Sequence, residues 1–240
     1  MSPETCVSDG GTGLLKGVPS AFPKIEMQLD AFHALRDIAG HIRKVERKSF
    51  SLFAQLDRLE EKLRNPKSKE ETRKQYAELW TQWENELERT EILDILFSWL
   101  RESIGFSGYG YAKSLALCGW ILDEMSALYP EKEDFLKAVR RFRKRLPSLL
   151  RFLLRLGEKT REAALSFSVA PGAFQLLYNQ TACHYQSEEY RFMEKKLFSA
   201  FGQRIFEARD TLSSLLRSVF RASSLIENVN GRLRPFIVYS

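Results

Sequence analysis

Two acidic residues near opposite ends of the chain, Asp9 and Glu227, stand where an enzyme could hold a metal ion. Asp9 follows a short β-like segment and precedes a run of glycines. Its carboxylate would therefore project from the carboxyl end of a sheet, where open α/β folds place catalytic groups. Local sequence alone favours a simpler role for Asp9, as a cap of the turn or of the next helix. Glu227 would fall in the first turn of a helix, and a capping box from Ser224 to Glu227 also explains its position.

A third feature is Asp30-Ala31-Phe32-His33, which places an acid at a strand-to-helix junction and a histidine one turn later. Both side chains would share one face of the helix. An N-cap aspartate followed by a histidine in the first turn is the alternative. Two other patterns fall short of a site. The glycine run after Asp9 lacks the Gly-Lys-Ser/Thr ending of a phosphate loop, and Cys183-His184 has no second ligand pair for zinc.

The positive charge of the chain is concentrated in one segment. The residues from Phe135 to Gly157 include no acid and eight bases: Lys137, Arg140, Arg141, Arg143, Lys144, Arg145, Arg151 and Arg155. These charges exceed the net charge of +6 of all 240 residues, so the rest of the chain has a net charge of −2. A local basic stripe indicates a polyanionic partner, most commonly nucleic acid. The alternative is a solvated helix face that pairs with acids elsewhere, for example Glu60, Glu61 or Glu131.

The elements that must position these residues change character after the start of the chain. The first part predicts a strand at Thr5–Ser8, a short helix from Leu14 to Phe22 and a strand at Ile25–Leu29, which together form a piece of a parallel α/β sheet. The remainder predicts helices almost throughout. They are expected at 35–63, from the capping box at 68–71 past Leu87, and near 112–129, 132–156, 173–181 and 187–221. Pro147 should end or kink the helix that contains it.

Composition limits the class of protein. Hydrophobic residues make up 44% of the chain, which is more than a disordered chain contains. Charged residues make up 28%, and no apolar stretch is long enough to span a membrane. Three widely spaced cysteines argue against a disulfide framework and for a reducing compartment. We therefore expect a soluble, cytoplasmic protein without a membrane partner.

Three separated segments resemble parts of the DDE transposases of the Mutator-like type, which are found in bacterial insertion sequences. Val7-Ser8-Asp9-Gly10-Gly11-Thr12-Gly13-Leu14 resembles the strand and turn with the family's second catalytic Asp. Gln28-Leu29-Asp30-Ala31-Phe32-His33 resembles the motif of Cys or Asp, two residues and His that follows in the family. Arg221-Ala-Ser-Ser-Leu-Ile-Glu227-Asn-Val-Asn230-Gly-Arg-Leu-Arg234 resembles the helix with the catalytic Glu. A large helical insertion separates these motifs in the family, and a long helix-like stretch separates them here.

The resemblance implies a mainly α fold, in which a helical bundle is attached to a partial ribonuclease-H-like α/β remnant. Residues 1–36 would be the remnant, residues 37–220 the helical insertion domain, and residues 221–240 the helix with the third catalytic acid. Asp9 and Glu227 would be catalytic ligands of Mg²⁺ in the full-length parent, because Mg²⁺ prefers hard oxygen ligands. Asp30 and His33 would organise that site. The residues expected to contact DNA phosphates are Arg140, Arg141, Arg143, Lys144, Arg145, Arg151, Arg155, Arg221 and Arg234.

The chain departs from the family pattern at its start. The first catalytic Asp of the family lies on an earlier strand, whereas Glu4 is the sole acid before Asp9. We therefore expect a transposase fragment that binds Mg²⁺ weakly or not at all, does not cleave DNA alone, and associates with a second copy or with intact transposase. The alternatives are a regulator that binds DNA or transposase, and a non-catalytic helical DNA-binding or protein-interaction protein. In the interaction alternative, the long helix from Leu35 to Leu63 and the aromatic stripe of Tyr76, Trp80 and Trp83 would contact partner helices. Amphipathic faces usually pack within their own domain, so the stripe itself is expected to be ordinary core.

Overall fold

A computed structural model describes residues 5–8, 12–64, 70–105 and 110–218, and most of them are helical. The mainly α class predicted from the sequence is confirmed. In these ranges no helix has an apolar stretch long enough to cross a bilayer. In chain order the elements are β1 (Thr5–Ser8), α1 (Thr12–Ala21), β2 (Glu26–Leu29), α2 (Ala31–Leu63), α3 (Glu70–Gly105), α4 (Gly110–Leu128), α5 (Glu133–Leu149), α6 (Phe152–Ser166), α7 (Gly172–Gln180), α8 (Glu188–Phe201), a 3₁₀ turn (Gly202–Arg204) and α9 (Ile205–Ser218).

The two strands form a parallel pair, with Thr5 opposite Glu26 and Ser8 opposite Leu29. Parallel neighbours need a crossover connection, and α1 supplies it. The strand–helix–strand order expected at the start of the chain is therefore confirmed. Because β1 and β2 end level with each other, their carboxyl ends form one short edge, and Asp30 is the residue that follows β2 at this edge.

The chain divides into two compact units, which we call the first and the second unit. The first unit takes its described residues from Met1–His33, Glu102–Cys118 and Arg145–Ser240. The second unit takes its described residues from Ala34–Arg101 and Gly119–Lys144. Helices α2 to α5 contribute residues to both units.

In the second unit, α2 and α3 run antiparallel. Lys48 contacts Glu86, whereas Phe53, later in α2, contacts Trp83, earlier in α3. Apolar residues at steps of three and four turn one face of α2 into the core, and Ser49 is buried at the one polar position of that series. The buried apolar residues of this unit include Ile38, Ile42, Val45, Leu56, Leu93, Leu96, Leu100, Ile121, Leu122, Met125, Tyr129, Phe135, Ala138, Val139 and Phe142.

In the first unit, α6 to α9 pack around three phenylalanine rings. The rings of Phe167, Phe174 and Phe201 meet edge to face with centroids 5.3–5.8 Å apart, an arrangement that aromatic quadrupoles favour. The prediction of one helix over 187–221 is wrong, because α8 ends at Phe201 and Gly202 has a φ of +56°. A positive φ leaves the helical path, and glycine adopts it without a Cβ clash.

The basic helix predicted at 132–156 is two helices, with a tight turn between Leu149 and Phe152. Pro147 lies in the last turn of α5, where it has no N–H to continue the helical ladder. Bonds of 3₁₀ type follow, from the Leu153 N–H to the Leu150 carbonyl, for example, at 2.9 Å. α5 therefore ends two residues after Pro147, close to the predicted break, whereas the helix end predicted at 156 lies inside α6.

Candidate nucleic-acid interface

The residues predicted as metal ligands, Asp9 and Glu227, lie outside the described residues, as do Arg221 and Arg234. Their catalytic and DNA-binding roles stay predictions. Asp30 and His33, predicted to organise the metal site, are described, and both belong to the first unit.

Asp30 and His33 lie together at the carboxyl edge of β2. The Nε2 atom of His33 is 3.9 Å from Oδ2 of Asp30, so the two side chains share one face at the start of α2, as their spacing predicted. Asp30 is almost fully buried, whereas 32% of the His33 side chain is exposed. A buried carboxylate beside an imidazole can fix the orientation of the ring.

A magnesium site needs more oxygen ligands than this pair provides. Mg²⁺ is held by carboxylate oxygens, water and substrate phosphates. In the part of the chain that the structure describes, no three His, Cys, Asp or Glu side chains are grouped to hold a metal ion. Asp30 supplies one carboxylate at this edge, so the described residues do not by themselves fit Mg²⁺. Any such site would depend on Asp9 and Glu227.

The basic residues of α5 in the second unit form an exposed surface, which we call the α5 basic face: Lys137, Arg140, Arg141, Arg143 and Lys144. Four of them contact acids, in the ion pairs Lys137–Asp134 at 3.9 Å, Arg140–Glu133 at 2.9 Å, Arg141–Asp37 at 3.3 Å and Arg143–Asp123 at 2.5 Å. Lys144 has no ion-pair partner among the described residues. The acids named in the solvated-face alternative are the wrong ones, since Glu60 pairs with Arg64 and Glu131 with Arg89.

These ion pairs are weak enough to exchange. Every side chain in them is at least 44% exposed. Exposed pairs of this kind contribute about 0–1 kcal/mol each, because water and salt screen them. A phosphate can therefore replace a carboxylate as the partner of a guanidinium at little cost, and bidentate geometry favours arginine in that exchange.

Three more predicted DNA contacts, Arg145, Arg151 and Arg155, belong to the first unit. Arg155 donates a hydrogen bond to Oε1 of Gln28 at 3.2 Å. The Gln28 amide nitrogen donates in turn to the carbonyl oxygens of the last two residues of α5, at 3.0 and 3.1 Å. Gln28 therefore caps the end of α5, and Arg155 holds the capping side chain. No local sequence pattern indicated this structural role of Arg155.

A pair of exposed tryptophans lies in the second unit. The rings of Trp99 in α3 and Trp120 in α4 are within 25° of parallel, with centroids 6.4 Å apart, and each residue is 47% exposed. Ile92 and Ile95 continue the exposed apolar surface along α3. The sequence contained a signal for this surface, because the series Ile92, Ile95 and Trp99 runs beside the buried series that starts at Leu93. A helix with two apolar series has more than one apolar face.

A second aromatic cluster joins α2 to α3. The ring centroids of Phe53 and Trp83 are 5.5 Å apart, those of Trp83 and Trp80 are 5.3 Å apart, and those of Trp80 and Tyr76 are 6.0 Å apart. The expectation that this stripe is ordinary core holds only in part, since Trp80 is 38% exposed and Phe53 54% exposed. Phe50, one turn before Phe53, is 73% exposed.

No protein-family model, no curated protein and no solved structure matches the chain. The likeness to DDE transposases therefore stands on the three sequence segments described above. The described geometry adds a surface that could contact a polyanion, the α5 basic face, and two exposed aromatic groups in the same unit.

Proposed function

We propose that the chain derives from a DDE transposase of the Mutator-like type and binds DNA through the α5 basic face. The observation that carries DNA binding is the acid-free segment from Phe135, which presents five exposed cations on one helix of the second unit. Contacts from such cations to phosphates supply affinity that depends on salt and not on base sequence. Cleavage of DNA by this chain alone is not part of the proposal.

Features at the other end of the chain support the proposed ancestry. β1 and β2 form a parallel pair with a crossover helix between them, which is the connectivity expected of a ribonuclease-H-like remnant. Asp30 is buried where β2 ends, within the segment that resembles the family's motif. An experimental structure in which the carboxylates of Asp9 and Glu227 lie tens of ångströms apart would contradict this ancestry, because one metal site could not use both.

The test of DNA binding is neutralisation of two exposed cations, Arg140→Gln with Lys144→Gln. Binding of a labelled duplex would be measured by fluorescence anisotropy across a series of salt concentrations. Each phosphate contact adds about 0.9 to the slope of log K against log salt. We expect the double variant to bind more weakly at low salt and to lower the slope by about 2, the contribution of two contacts.

The matched control is Arg58→Gln with Lys62→Gln, which removes the same charge from two exposed positions of α2. It should leave the slope unchanged. A gain-of-binding variant, Asp37→Asn with Asp123→Asn, removes two acids that pair with Arg141 and Arg143 and should tighten binding. A wild-type slope near zero, or equal losses in both neutralised variants, would refute DNA binding by α5. Magnesium-dependent nicking that Asp9→Asn abolishes would instead show that the chain cleaves DNA.

A protein-interaction function is the second candidate, and the exposed aromatic cluster of α2 and α3 favours it. Phe50 and Phe53 leave more than half of their surface in water, which is unusual for two neighbouring phenylalanines unless a partner covers them. In the DNA experiment, Phe50→Ala with Phe53→Ala separates the two functions. If the α2–α3 surface serves a protein partner, this variant leaves DNA affinity unchanged and alters only the oligomeric state or partner binding.

A further inference from the structure

The exposed tryptophan pair of the second unit lies close to the α5 basic face. Arg143 donates a hydrogen bond to the carbonyl oxygen of Gly119 at 2.7 Å, and Gly119 directly precedes Trp120. The same guanidinium contacts Asp123, one turn after Trp120, at 2.5 Å. A cation from α5 is therefore held against the turn of α4 that contains Trp120. Lys144 follows Arg143 in the chain and is exposed without an ion-pair partner among the residues described in this unit.

The two indoles pack against each other and leave about half of their surface in the solvent. Trp99 and Trp120 are nearly parallel, and each is 47% exposed, so about half of each residue remains available to a ligand. Proteins that bind single-stranded nucleic acid combine such aromatic faces, on which bases stack, with cations that follow the phosphates. In a duplex the bases are already stacked on each other, so a protein indole cannot reach their faces without opening the helix.

From these contacts we infer that Trp99 and Trp120 form a base-stacking platform for single-stranded DNA, with Arg143 and Lys144 binding the adjoining phosphates. This inference rests on the proposed DNA-binding function and specifies its ligand as an unpaired strand. Charge complementarity favours phosphates on the α5 side, where Arg143 and Lys144 lie, because Glu124 of α4 has no ion-pair partner among the described residues and repels them.

The experiment compares a labelled thymidine 12-mer with a duplex of the same length, using wild type and tryptophan variants of the full chain. Loss of one stacking side chain weakens binding of single strands by roughly 5- to 150-fold in known systems. We expect Trp120→Ala and Trp99→Ala each to lower the affinity for the thymidine 12-mer about tenfold and to change the affinity for the duplex less than twofold. Trp120→Phe keeps an aromatic face and should retain most of the affinity.

The matched control is Trp80→Ala, which removes a partly exposed tryptophan about 28 Å from Trp99 along α3. This variant should leave the affinities for the single strand and for the duplex unchanged. If the Trp99 and Trp120 variants bind the single strand as wild type does, while Arg140→Gln with Lys144→Gln loses binding, the platform is refuted and DNA binding by α5 stands. If neither DNA form binds at low salt, the proposed function itself fails. If Trp120→Ala changes the oligomeric state in analytical ultracentrifugation without changing DNA affinity, the surface contacts protein and the inference is overturned.

Discussion

Replacing Gln28 by leucine should destabilise the first unit strongly, because one buried side chain serves several polar groups at once. The Gln28 amide nitrogen donates to the Ser148 carbonyl at 3.0 Å and to the Leu149 carbonyl at 3.1 Å. Its Oε1 atom accepts a hydrogen bond from Arg155 at 3.2 Å. Gln28 itself is only 3% exposed, so water cannot easily replace the lost bonds. Leucine has a similar size but neither donates nor accepts.

The magnitude follows from the carbonyls left behind. A buried polar group that loses its partner costs about 1–3 kcal/mol. Gln28→Leu removes its bonds to three carbonyls, those of Leu29, Ser148 and Leu149, and to the Arg155 guanidinium. The Ser148 carbonyl keeps a longer bond from the Arg151 N–H, at 3.4 Å. Part of this cost is recovered by apolar packing, so we expect the free energy of unfolding to fall by about 2–4 kcal/mol. For a chain of this size each kcal/mol lowers Tm by about 2–4 °C, which gives a decrease of about 5–15 °C.

Urea unfolding followed by circular dichroism measures this loss directly. Gln55→Leu is the matched control, because Gln55 is exposed and, among the described residues, bonds only to the Ser51 carbonyl of its own helix. That change should stay within about 0.5 kcal/mol of wild type. Gln28→Asn shortens the side chain by one methylene and keeps its polar groups, so a similar loss of stability in that variant would show that the reach to the α5 carbonyls matters. A Gln28→Leu variant as stable as Gln55→Leu would refute the capping role.

Two further predictions concern the pH dependence of stability in chain segments that the structure describes. Burial raises the pKa of Glu46, and the nearby Asp94 carboxylate raises it further, so the protonated form favours the fold. The stability that protonated Glu46 contributes is complete below the ordinary pKa of 4.5 and is lost as pH rises through the pKa in the folded protein. Glu46→Gln should therefore raise the free energy of unfolding by roughly 0.5 kcal/mol at pH 7 and leave it unchanged at pH 4. Urea unfolding at the two pH values measures this difference. Equal effects at both pH values would contradict this coupling. Burial also raises the pKa of the Cys118 thiol to about 11, from an ordinary value of 9.0. The stability that the protonated Cys118 thiol contributes is complete below pH 9 and is lost as pH rises through about 11. In the Cys118→Ala variant, the free energy of unfolding should therefore fall less steeply between pH 9 and pH 11 than in wild type. Identical declines in wild type and variant would count against a buried thiol.

Periodicity predicted the parts of the fold that local sequence determines. Steps of three and four along α2 identified its core face, including the polar position at Ser49, and the glycine turn with flanking apolar runs identified the parallel strand pair. Helix ends were harder to predict. Pro147 lies inside α5, two residues before the helix ends. Gly202 ends α8 although the helical spacing of apolar residues continues before and after it. Each of these boundaries depends on one residue and not on a pattern.

The sequence predicted which residues make up the candidate site, but it did not predict which residues surround them. A count of charges found the basic segment, yet Asp37 lies 104 residues before its partner Arg141, and Asp123 lies 20 residues before Arg143. Gln28 bonds a helix end 121 residues away. No local reading can locate such partners, because the fold alone decides which distant residues meet. The metal-site assignments of Asp9 and Glu227 share this difficulty, since they require two distant segments to converge.

The ion pairs of α5 change how its charge should be understood. Counted from sequence, the segment is a strong polyanion site. In the folded second unit, four of its five cations already contact a carboxylate, and Lys144 is the one without such a contact among the described residues. Under the proposed function, a phosphate that contacts one of these four paired cations would displace a carboxylate that stays nearby and repels the strand, whereas a contact to Lys144 would displace none. The affinity expected from charge alone is then smaller than eight cations suggest, and contacts that do not depend on charge, such as the proposed base stacking on Trp120, would decide which form of DNA binds.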